Sequence, residues 1–292
     1  MKKECILIDV FTDVPYAGNQ LAVFSDSSGL STEQMQMLTK EINYSETTFI
    51  LEADQPDADF RVRIFTPSRE LPFAGHPTLG TAYSIMEIFD IWAEKKDILR
   101  LQTRVGVIPL QKQGSVLWMT QNEPDFFTQH ADKKTVAGLF DVAPDDISDD
   151  YPIEEVSTGN RMLIVPIKTI DAMQRAQGNV TNMKRFFGND LIGPYLFCLE
   201  TMDPRAKLHT RFFAPHLGIL EDPATGSAAG PLVGYLLKHG VFGSNFEIIN
   251  EQGVEMGRRS SIMMRGSFKS GKYSIQIGGK CAYVGKGEFE IQ

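Results

Sequence analysis

The most informative stretch of the chain is Arg211-Phe-Phe-Ala-Pro-His-Leu-Gly-Ile-Leu-Glu-Asp-Pro-Ala-Thr-Gly-Ser-Ala-Ala-Gly230. It places two adjacent carboxylates, Glu221 and Asp222, before a proline, and a turn of small residues then opens a nearly continuous apolar run. A helix that begins at Gly226 and Ser227 has backbone N–H groups that can face an anion. A carboxylate beside backbone N–H groups that can bind an anion predicts a functional site.

This stretch has a counterpart in the first half of the chain. Arg63-Ile-Phe-Thr-Pro67 matches Arg211-Phe-Phe-Ala-Pro215, and Glu70-Leu-Pro-Phe-Ala-Gly75 matches Glu221-Asp-Pro-Ala-Thr-Gly226. The copies are about 150 positions apart, close to half the chain, and each leads into a buried apolar helix. The spacing predicts a tandem duplication of one architecture.

The differences between the two copies are as informative as the matches. Asp222 aligns with Leu71, His76 aligns with Ser227, and Glu46 has no evident partner in the second half. The two copies therefore share an architecture and differ in the reactive side chains that they carry. Two helix N-termini that face each other across a pseudo-two-fold axis would make a cleft with converging N–H groups.

Composition excludes several classes of protein. The 292 residues are 42% hydrophobic and 23% charged, which is typical of a globular protein with sizeable cores. No run has the length of a membrane span and the start lacks an apolar signal segment, so we expect a cytoplasmic protein without a membrane partner. A formal net charge of −8 without a Lys/Arg tract argues against nucleic acid as a partner.

The cysteines and histidines show no ligand spacing. Cys5, Cys198 and Cys281 are scattered in strand-like stretches, which indicates reduced buried thiols. The five histidines lack the spacing of metal ligands, so no metal is expected. The chain also has neither a G-x-G-x-x-G motif nor a P-loop, and we expect no cofactor.

Local patterns predict many short strands and few helices. A capping box at Ser31 and Gln34 begins a helix, and the pattern turns extended within residues 43–50, so Glu46 lies where a helix ends and a strand begins. Residues 169–187 are predicted to be mostly helical, and the polar segment 124–152 is predicted to carry a short helix near 132–140. The expected strands are 4–12, 21–24, 60–65, 97–103, 105–111, 115–121, 161–166, 194–201, 207–213, 246–250, 260–268, 273–277 and 281–291.

These patterns predict an α+β protein of two similar domains. Each domain would be a β-sheet or barrel wrapped round a central helix. The predicted domains are 1–122 and 123–292, with the last strand, about 281–292, as a candidate to return to the first half.

Segments along nearly the whole chain together resemble the phenazine-biosynthesis PhzF-like family. The resemblance implies a diaminopimelate epimerase-like fold, a site in the cleft between the two domains, and a homodimer. The matching segments are Asp9-Val-Phe-Thr12, Gly18-Asn-x-Leu-Ala-Val23, Asn43-x-Ser-Glu-Thr47, Phe73-Ala-Gly-His-Pro-Thr78, Glu221-Asp-Pro-x-Thr-Gly-Ser-Ala228 and Gln252-Gly-x-Glu-Met-Gly-Arg258.

The resemblance also assigns the chemistry. In the related epimerase a catalytic cysteine precedes the glycine in each half, whereas Ala74 and Thr225 hold those places here. Two-thiol racemisation is therefore disfavoured. Glu46 takes the place of the family's catalytic glutamate, and burial in an apolar cleft would raise its pKa until it can take and return a proton near neutrality.

The other candidate site residues would assist Glu46 in proton transfer or bind the substrate. His76 at a helix start is expected to be a neutral ring, because the helix dipole disfavours the imidazolium. Asp222 is the candidate second acid, which would orient the substrate or assist proton transfer. Backbone N–H groups of Gly75, Gly226 and Ser227 would bind a substrate carboxylate, with Asn19 and Ser45 as further binding candidates.

Arg63 and Arg211 fit either anion binding or structural salt bridges. The predicted function is a cofactor-independent isomerase, PhzF-like, that moves a proton between carbons of a small carboxylic acid by general acid/base catalysis. The alternatives are an epimerase or racemase of a small acid, and a non-catalytic binding protein for small acids.

Overall fold

The computed structural model describes residues 1–89 and 97–291, so residues 90–96 of the predicted first half and Gln292 of the last predicted strand lie outside it. The chain divides into two compact units. Unit 1 comprises Met1–Thr120 and Gly278–Gln292, and unit 2 comprises Gln121–Ile277.

The helices are short compared with the amount of sheet. A π-helix at Ser84–Ile88 continues the second helix, and 3₁₀ turns lie at Pro144–Asp146 and Pro215–Leu217. The α-helices are α1 (Thr32–Ile42), α2 (Gly75–Tyr83), α3 (Lys133–Ala137), α4 (Ile170–Arg175), α5 (Val180–Phe187) and α6 (Gly226–Lys238).

Strands are the most abundant regular elements in both units. They are β1 (Lys2–Val10), β2 (Asn19–Phe24), β3 (Glu46–Glu52), β4 (Phe60–Phe65), β5 (Glu70–Leu71), β6 (Ile98–Thr103), β7 (Gly106–Gln113), β8 (Val116–Thr120), β9 (Asp125–His130), β10 (Ile153–Ser157), β11 (Arg161–Pro166), β12 (Gly193–Cys198), β13 (Leu208–Ala214), β14 (Ile219–Asp222), β15 (Asn245–Gln252), β16 (Ser260–Lys269), β17 (Lys272–Gly279) and β18 (Cys281–Glu290).

The sheet of unit 1 combines hairpins with two parallel crossovers. β18, β1 and β2 pair antiparallel in that order, and β2 then pairs parallel with β3 after the crossover through α1. β3 pairs antiparallel with β4, which pairs parallel with β6 after the crossover that contains α2. β6, β7 and β8 complete the order as antiparallel neighbours.

The sheet of unit 2 repeats this order. β9, β10 and β11 pair antiparallel, β11 pairs parallel with β12, and β12 pairs antiparallel with β13. β13 pairs parallel with β15 after the crossover that contains α6, and β15 pairs antiparallel with β16. The same sequence of pairings in both units confirms the duplication that the repeated motifs predict.

The central helix of unit 1 is buried along almost its whole length. α2 contacts β1, β2, β3, β4, β6 and β8, and every residue from Gly75 to Ala82 is buried. Its hydroxyl groups bond to its own turns, since Thr78 and Thr81 donate to the carbonyl oxygens of Ala74 and Pro77. These bonds allow polar side chains to be buried without loss of their hydrogen bonds.

The opposite face of the same sheet is also covered. Phe24 stacks on Phe49 with ring centroids 4.9 Å apart, and both belong to a core that includes Met35 and Leu38 of α1. Burial on both faces explains why β2 has an apolar run without clear alternation.

In unit 2 the corresponding central helix is α6. It contacts β10, β11 and β16, and all residues from Ala228 to Leu237 are buried. The predicted helix of the second copy and its start at Gly226 are confirmed.

The repeated arginines make the same structural contact in both units. Arg63 binds both carboxylate oxygens of Glu70 at 2.8 Å, and Arg211 binds both oxygens of Glu221 at 2.8 and 2.9 Å. Each guanidinium also lies over the phenylalanine two positions later, at 5.0 Å in unit 1 and 4.5 Å in unit 2. Of the two roles left open by the sequence, structural salt bridging is the one observed.

Several local predictions differ from the structure, and among the strands β5, β10 and β14 were not predicted. The predicted helical segment 169–187 is divided into α4 and α5, because Asn179 caps a new helix through its side chain. β9 lies in the polar segment that was predicted to carry only a short helix, and its side chains are mostly exposed, so it lacks an apolar alternation.

Candidate active site

Glu46 is placed by the end of a helix and the start of a parallel strand. α1 is followed by Asn43 in the left-handed region (φ 55°), which turns the chain into β3. Glu46 is the first residue of β3 and lies opposite Leu21 of β2 in the parallel register. The predicted position between a helix and a strand is confirmed, and both neighbours are rigid elements.

His76 meets Glu46 from the first turn of α2. Its Nε2 lies 3.3 Å from Oε2 of Glu46, and the two side chains are 7% and 14% exposed. Ala74 precedes the helix and provides no side-chain cap to the N–H groups of this turn. The acid, the imidazole and the open helix N-terminus therefore lie together in unit 1.

Two further predicted residues extend this pair. Nδ2 of Asn19 lies 3.3 Å from Nδ1 of His76, and the hydroxyl of Ser45 donates to Oδ1 of Asn19 at 3.2 Å. The buried carboxamide thus contacts the ring nitrogen that points away from Glu46. Ser45, Asn19, His76 and Glu46 form one connected polar group at the ends of β2, β3 and α2.

The environment of Glu46 favours proton exchange near neutrality. Burial of the carboxyl raises the pKa of Glu46 from its usual 4.5 to about 7, and a hydrogen bond with Ser45 opposes that rise. Oε2 is buried and has no hydrogen-bond partner among residues 1–89 and 97–291. A carboxyl group with these properties populates both protonation states near pH 7, as a group that takes and returns a proton requires.

Asp222 occupies the equivalent turn of unit 2. It is the last residue of β14, and α6 begins four residues later at Gly226. The hydroxyl of Thr225, which precedes the helix, donates to Oδ2 of Asp222 at 2.5 Å. The Asp222 carboxylate is therefore tied to the start of α6.

One residue at this turn was not among the predicted site residues. Nε2 of Gln252, at the end of β15, donates to the backbone oxygen of Asp222 at 2.7 Å and to the hydroxyl of Thr225 at 2.9 Å. Gln252 lies in a segment that carries the family resemblance. A single buried glutamine has no charge or periodicity that would have indicated this role.

The predicted backbone N–H donors lie at helix starts. Gly75 and Gly226 are the first residues of α2 and α6, and Ser227 follows in the first turn. Neither helix has a side-chain cap, which is the arrangement that a bound anion can complete. Anion binding by these groups stays a prediction.

Unit 1 thus brings together Glu46, His76, Asn19, Ser45 and Gly75. Asp222, Gly226 and Ser227 lie together in unit 2. That both sets act on one substrate stays a prediction.

Two negative findings concern the described part of the chain. Within residues 1–89 and 97–291, no three His, Cys, Asp or Glu side chains are grouped so that they could hold a metal ion. In the same ranges, no helix has the length and apolar character needed to cross a membrane.

Comparison with known proteins places the chain in a family. The family model described as phenazine biosynthesis-like protein matches residues 8–287. The chain belongs to this family. It is 35% identical over 292 residues to the trans-2,3-dihydro-3-hydroxyanthranilate isomerase of Pseudomonas aeruginosa, with 97% of each chain covered. It is also similar to the crystal structure of a phenazine biosynthesis protein of the PhzF family from Bacillus anthracis, with a TM-score of 0.90, 30% identity and 100% coverage of both chains.

A more distant structure shares the fold alone. The hydroxyproline epimerase of Agrobacterium vitis has a TM-score of 0.63 at 11% identity, with 99% of this chain and 91% of the epimerase covered. The predicted α+β, epimerase-like fold class is confirmed.

Proposed function

We propose that the protein is a cofactor-independent isomerase that moves a proton between two carbons of a small cyclic or unsaturated carboxylic acid. The observation that carries the proposal is the buried Glu46 carboxyl, 3.3 Å from His76, at the open N-terminus of α2. The similarity to an isomerase that acts on a dihydro-hydroxyanthranilate supports the class of reaction and of substrate.

Glu46 is the proton carrier in this proposal. Its ionised carboxylate takes a proton from a carbon next to an unsaturated or carbonyl group, and the electron pair of that C–H bond shifts into the conjugated system. The Glu46 carboxyl exchanges its proton with the solvent and then delivers a proton to another carbon. No net oxidation occurs. A pKa of about 7 suits both steps, because the carboxylate is available as a base and its conjugate acid is strong enough to return the proton.

The remaining predicted residues bind and orient the substrate. The N–H groups at Gly75 and at Gly226–Ser227 are the proposed ligands of the substrate carboxylate, because both helix starts lack a side-chain cap. Asp222 orients the substrate or assists the proton transfer. We further propose that the protein is a cytoplasmic homodimer, as the family resemblance implies.

An epimerase or racemase of a small acid is the second candidate. The fold shared with hydroxyproline epimerase favours it. Ala74 and Thr225 stand where diaminopimelate epimerase has its two catalytic cysteines. In an epimerase or racemase reaction, Glu46 would therefore have to replace that pair of thiols. Racemisation removes optical rotation and epimerisation changes it, in both cases without a new chromophore, whereas isomerisation of a conjugated acid changes the absorption spectrum.

Deuterium uptake from the solvent tests the function. Cyclic and unsaturated carboxylic acids are incubated with the protein in D₂O, and incorporation is followed by mass spectrometry. We expect uptake with the wild type and at least about a 100-fold loss with Glu46→Gln, since general acid/base catalysis contributes at least that factor. Glu52→Gln, at the exposed other end of β3, is the matched control.

Two outcomes contradict the proposal. Absence of uptake with every acid, combined with saturable binding, would indicate a small-acid binding protein. Undiminished uptake by Glu46→Gln would remove Glu46 as the proton carrier.

A further inference from the structure

The side-chain carboxamide of Gln252 is held in one orientation by two backbone groups. The N–H of Thr225 donates to Oε1 at 3.2 Å, and Nε2 donates to the backbone oxygen of Asp222 at 2.7 Å. A backbone N–H can only donate and a backbone carbonyl can only accept, so the oxygen and nitrogen of the carboxamide cannot exchange places.

This orientation sets the direction of the next hydrogen bond. Nε2 of Gln252 also donates to the hydroxyl oxygen of Thr225 at 2.9 Å. The Thr225 hydroxyl is therefore an acceptor on that side, and it directs its own hydrogen to Oδ2 of Asp222. A donor aimed at a carboxylate favours the ionised form of that carboxylate.

The other end of the carboxamide is held by a buried tyrosine. Tyr195 donates its hydroxyl hydrogen to Oε1 of Gln252 at 2.9 Å and accepts from Nδ2 of Asn250 at 3.1 Å. Burial raises the pKa of Tyr195 far above its usual range, so the phenol keeps its proton. Tyr195, Asn250 and Gln252 are all fully buried, so bulk solvent does not reach these groups.

We propose that Gln252 is a positioning residue for Asp222: through the Thr225 hydroxyl it keeps the Asp222 carboxylate ionised and fixed in direction at the start of α6. The proposal rests on the proposed function, in which Asp222 is the second acid. It gives the two acids opposite environments, since burial raises the pKa of Glu46 whereas Asp222 receives a donated hydrogen bond. Pairs of acids in opposite environments are how acid and base roles are divided at one pH.

The first experiment follows the Asp222 carboxyl itself. Its ¹³C resonance, assigned with Asp222→Asn, is titrated in the wild type, Thr225→Val, Thr225→Ser and Gln252→Leu. We expect the midpoint to move up by about one pH unit or more in Thr225→Val, which loses the donor hydroxyl, and by a smaller amount in Gln252→Leu, which loses the N–H that directs that hydroxyl. The midpoint should stay in place in Thr225→Ser, which keeps the hydroxyl. An unchanged midpoint in Thr225→Val and Gln252→Leu overturns the proposal.

The second experiment separates positioning from a loss of folding. We expect Gln252→Leu and Thr225→Val to lower kcat for deuterium uptake at least about tenfold with a smaller change in KM, and Thr225→Ser to restore kcat. Gln102→Leu is the matched control, because Gln102 is a buried glutamine of unit 1 that ties the loop at Asp54 in the same way. An equal loss of kcat in Gln102→Leu would show that lost stability is the cause and would contradict the proposal.

The two proposals fail separately. If the wild type exchanges no acid, the isomerase function is wrong, yet the ¹³C titration still decides whether Gln252 sets the state of Asp222.

Discussion

Nε2 of His76 lies 3.3 Å from Oε2 of Glu46, although the two residues belong to a helix and a strand that are separated along the chain by β4 and β5. The contact exists because β3 pairs parallel with β2 while α2 packs along the same sheet. It brings a buried acid, an imidazole and a helix N-terminus into one place. Such a group is costly for stability and is therefore typical of a functional site.

The buried acid is expected to make stability depend on pH. The pKa of Glu46 is raised from 4.5 to about 7 in the folded state, so the folded protein binds a proton more tightly than the unfolded chain. As pH rises from about 4.5 to about 7, the wild type should lose up to about 3 kcal/mol of unfolding free energy that Glu46→Gln does not lose. Glu46→Gln should therefore be the more stable protein at pH 8.5 and about equal to the wild type at pH 4.

Urea unfolding at these two pH values measures the difference, with Glu52→Gln as the control for removal of a surface charge. A stability gap between wild type and Glu46→Gln that is the same at both pH values would contradict a raised pKa.

The two repeated arginines should differ in their contribution to stability. Arg211 is 6% exposed and also donates to three backbone carbonyls near the end of α4, whereas Arg63 is 21% exposed. We expect Arg211→Met to cost about 3–5 kcal/mol, because it leaves the half-buried Glu221 carboxylate and the buried backbone carbonyls near the end of α4 without their partner. Arg63→Met should cost less, about 1–3 kcal/mol, since Arg63 is itself more exposed and Arg104 remains 3.5 Å from the Glu70 carboxylate. Chemical denaturation compares the pair, and a larger loss for Arg63→Met would show the ranking to be wrong.

Gly80 is expected to be indispensable for the packing of α2. A Cβ atom at this position would lie 2.6 Å from Leu21, 2.8 Å from Val10 and 2.9 Å from Ile8, all closer than real contacts allow. Gly80→Ala should therefore cost about 1–3 kcal/mol despite the better helix propensity of alanine. Gly285→Ala, where a Cβ meets nothing within 4 Å, is the control and should stay within about 0.5 kcal/mol in thermal unfolding. Equal melting temperatures for Gly80→Ala and wild type would contradict the close approach.

The cysteines are expected to be inert in the folded protein. Burial raises the pKa of Cys5 to about 12 and that of Cys198 to about 11, and it raises the pKa of Cys281 still further. Because the thiolate is the reactive form, a disulfide reagent should label the native protein far more slowly than the urea-unfolded chain. Alkylation of the native protein should also leave deuterium uptake unchanged. Rapid inactivation by iodoacetamide would instead point to a catalytic thiol.

Much of the fold could be predicted from local signals. The repeated segments at Arg63 and Arg211 indicate the duplication, and the starts of α2 at Gly75 and α6 at Gly226 follow small-residue turns before apolar runs. β9 could not be predicted, because an exposed strand has no apolar alternation. The break between α4 and α5 depends on one capping side chain, Asn179, within a helical composition.

The candidate site was predicted less completely than the fold. The family resemblance indicated Glu46, His76 and Asp222, and the structure places the first two in contact. Asn19 was predicted as a binding residue, and the structure shows that it contacts the ring of His76. Gln252 was not predicted, since its partners are a turn and a helix start on other elements.

The amino-acid sequence alone determined the duplication, the two central helices, most of the strands, and the positions of the acids at the starts of these elements, because these features are set by neighbours along the chain. Only the tertiary structure decided the surroundings of those acids. The burial of Glu46 and the bond from Gln252 to the Thr225 hydroxyl come from groups on other strands and helices, and the desolvation and hydrogen bonds that shift a carboxyl group act through space. One carboxyl group is therefore desolvated in unit 1, whereas the other accepts a hydrogen bond in unit 2.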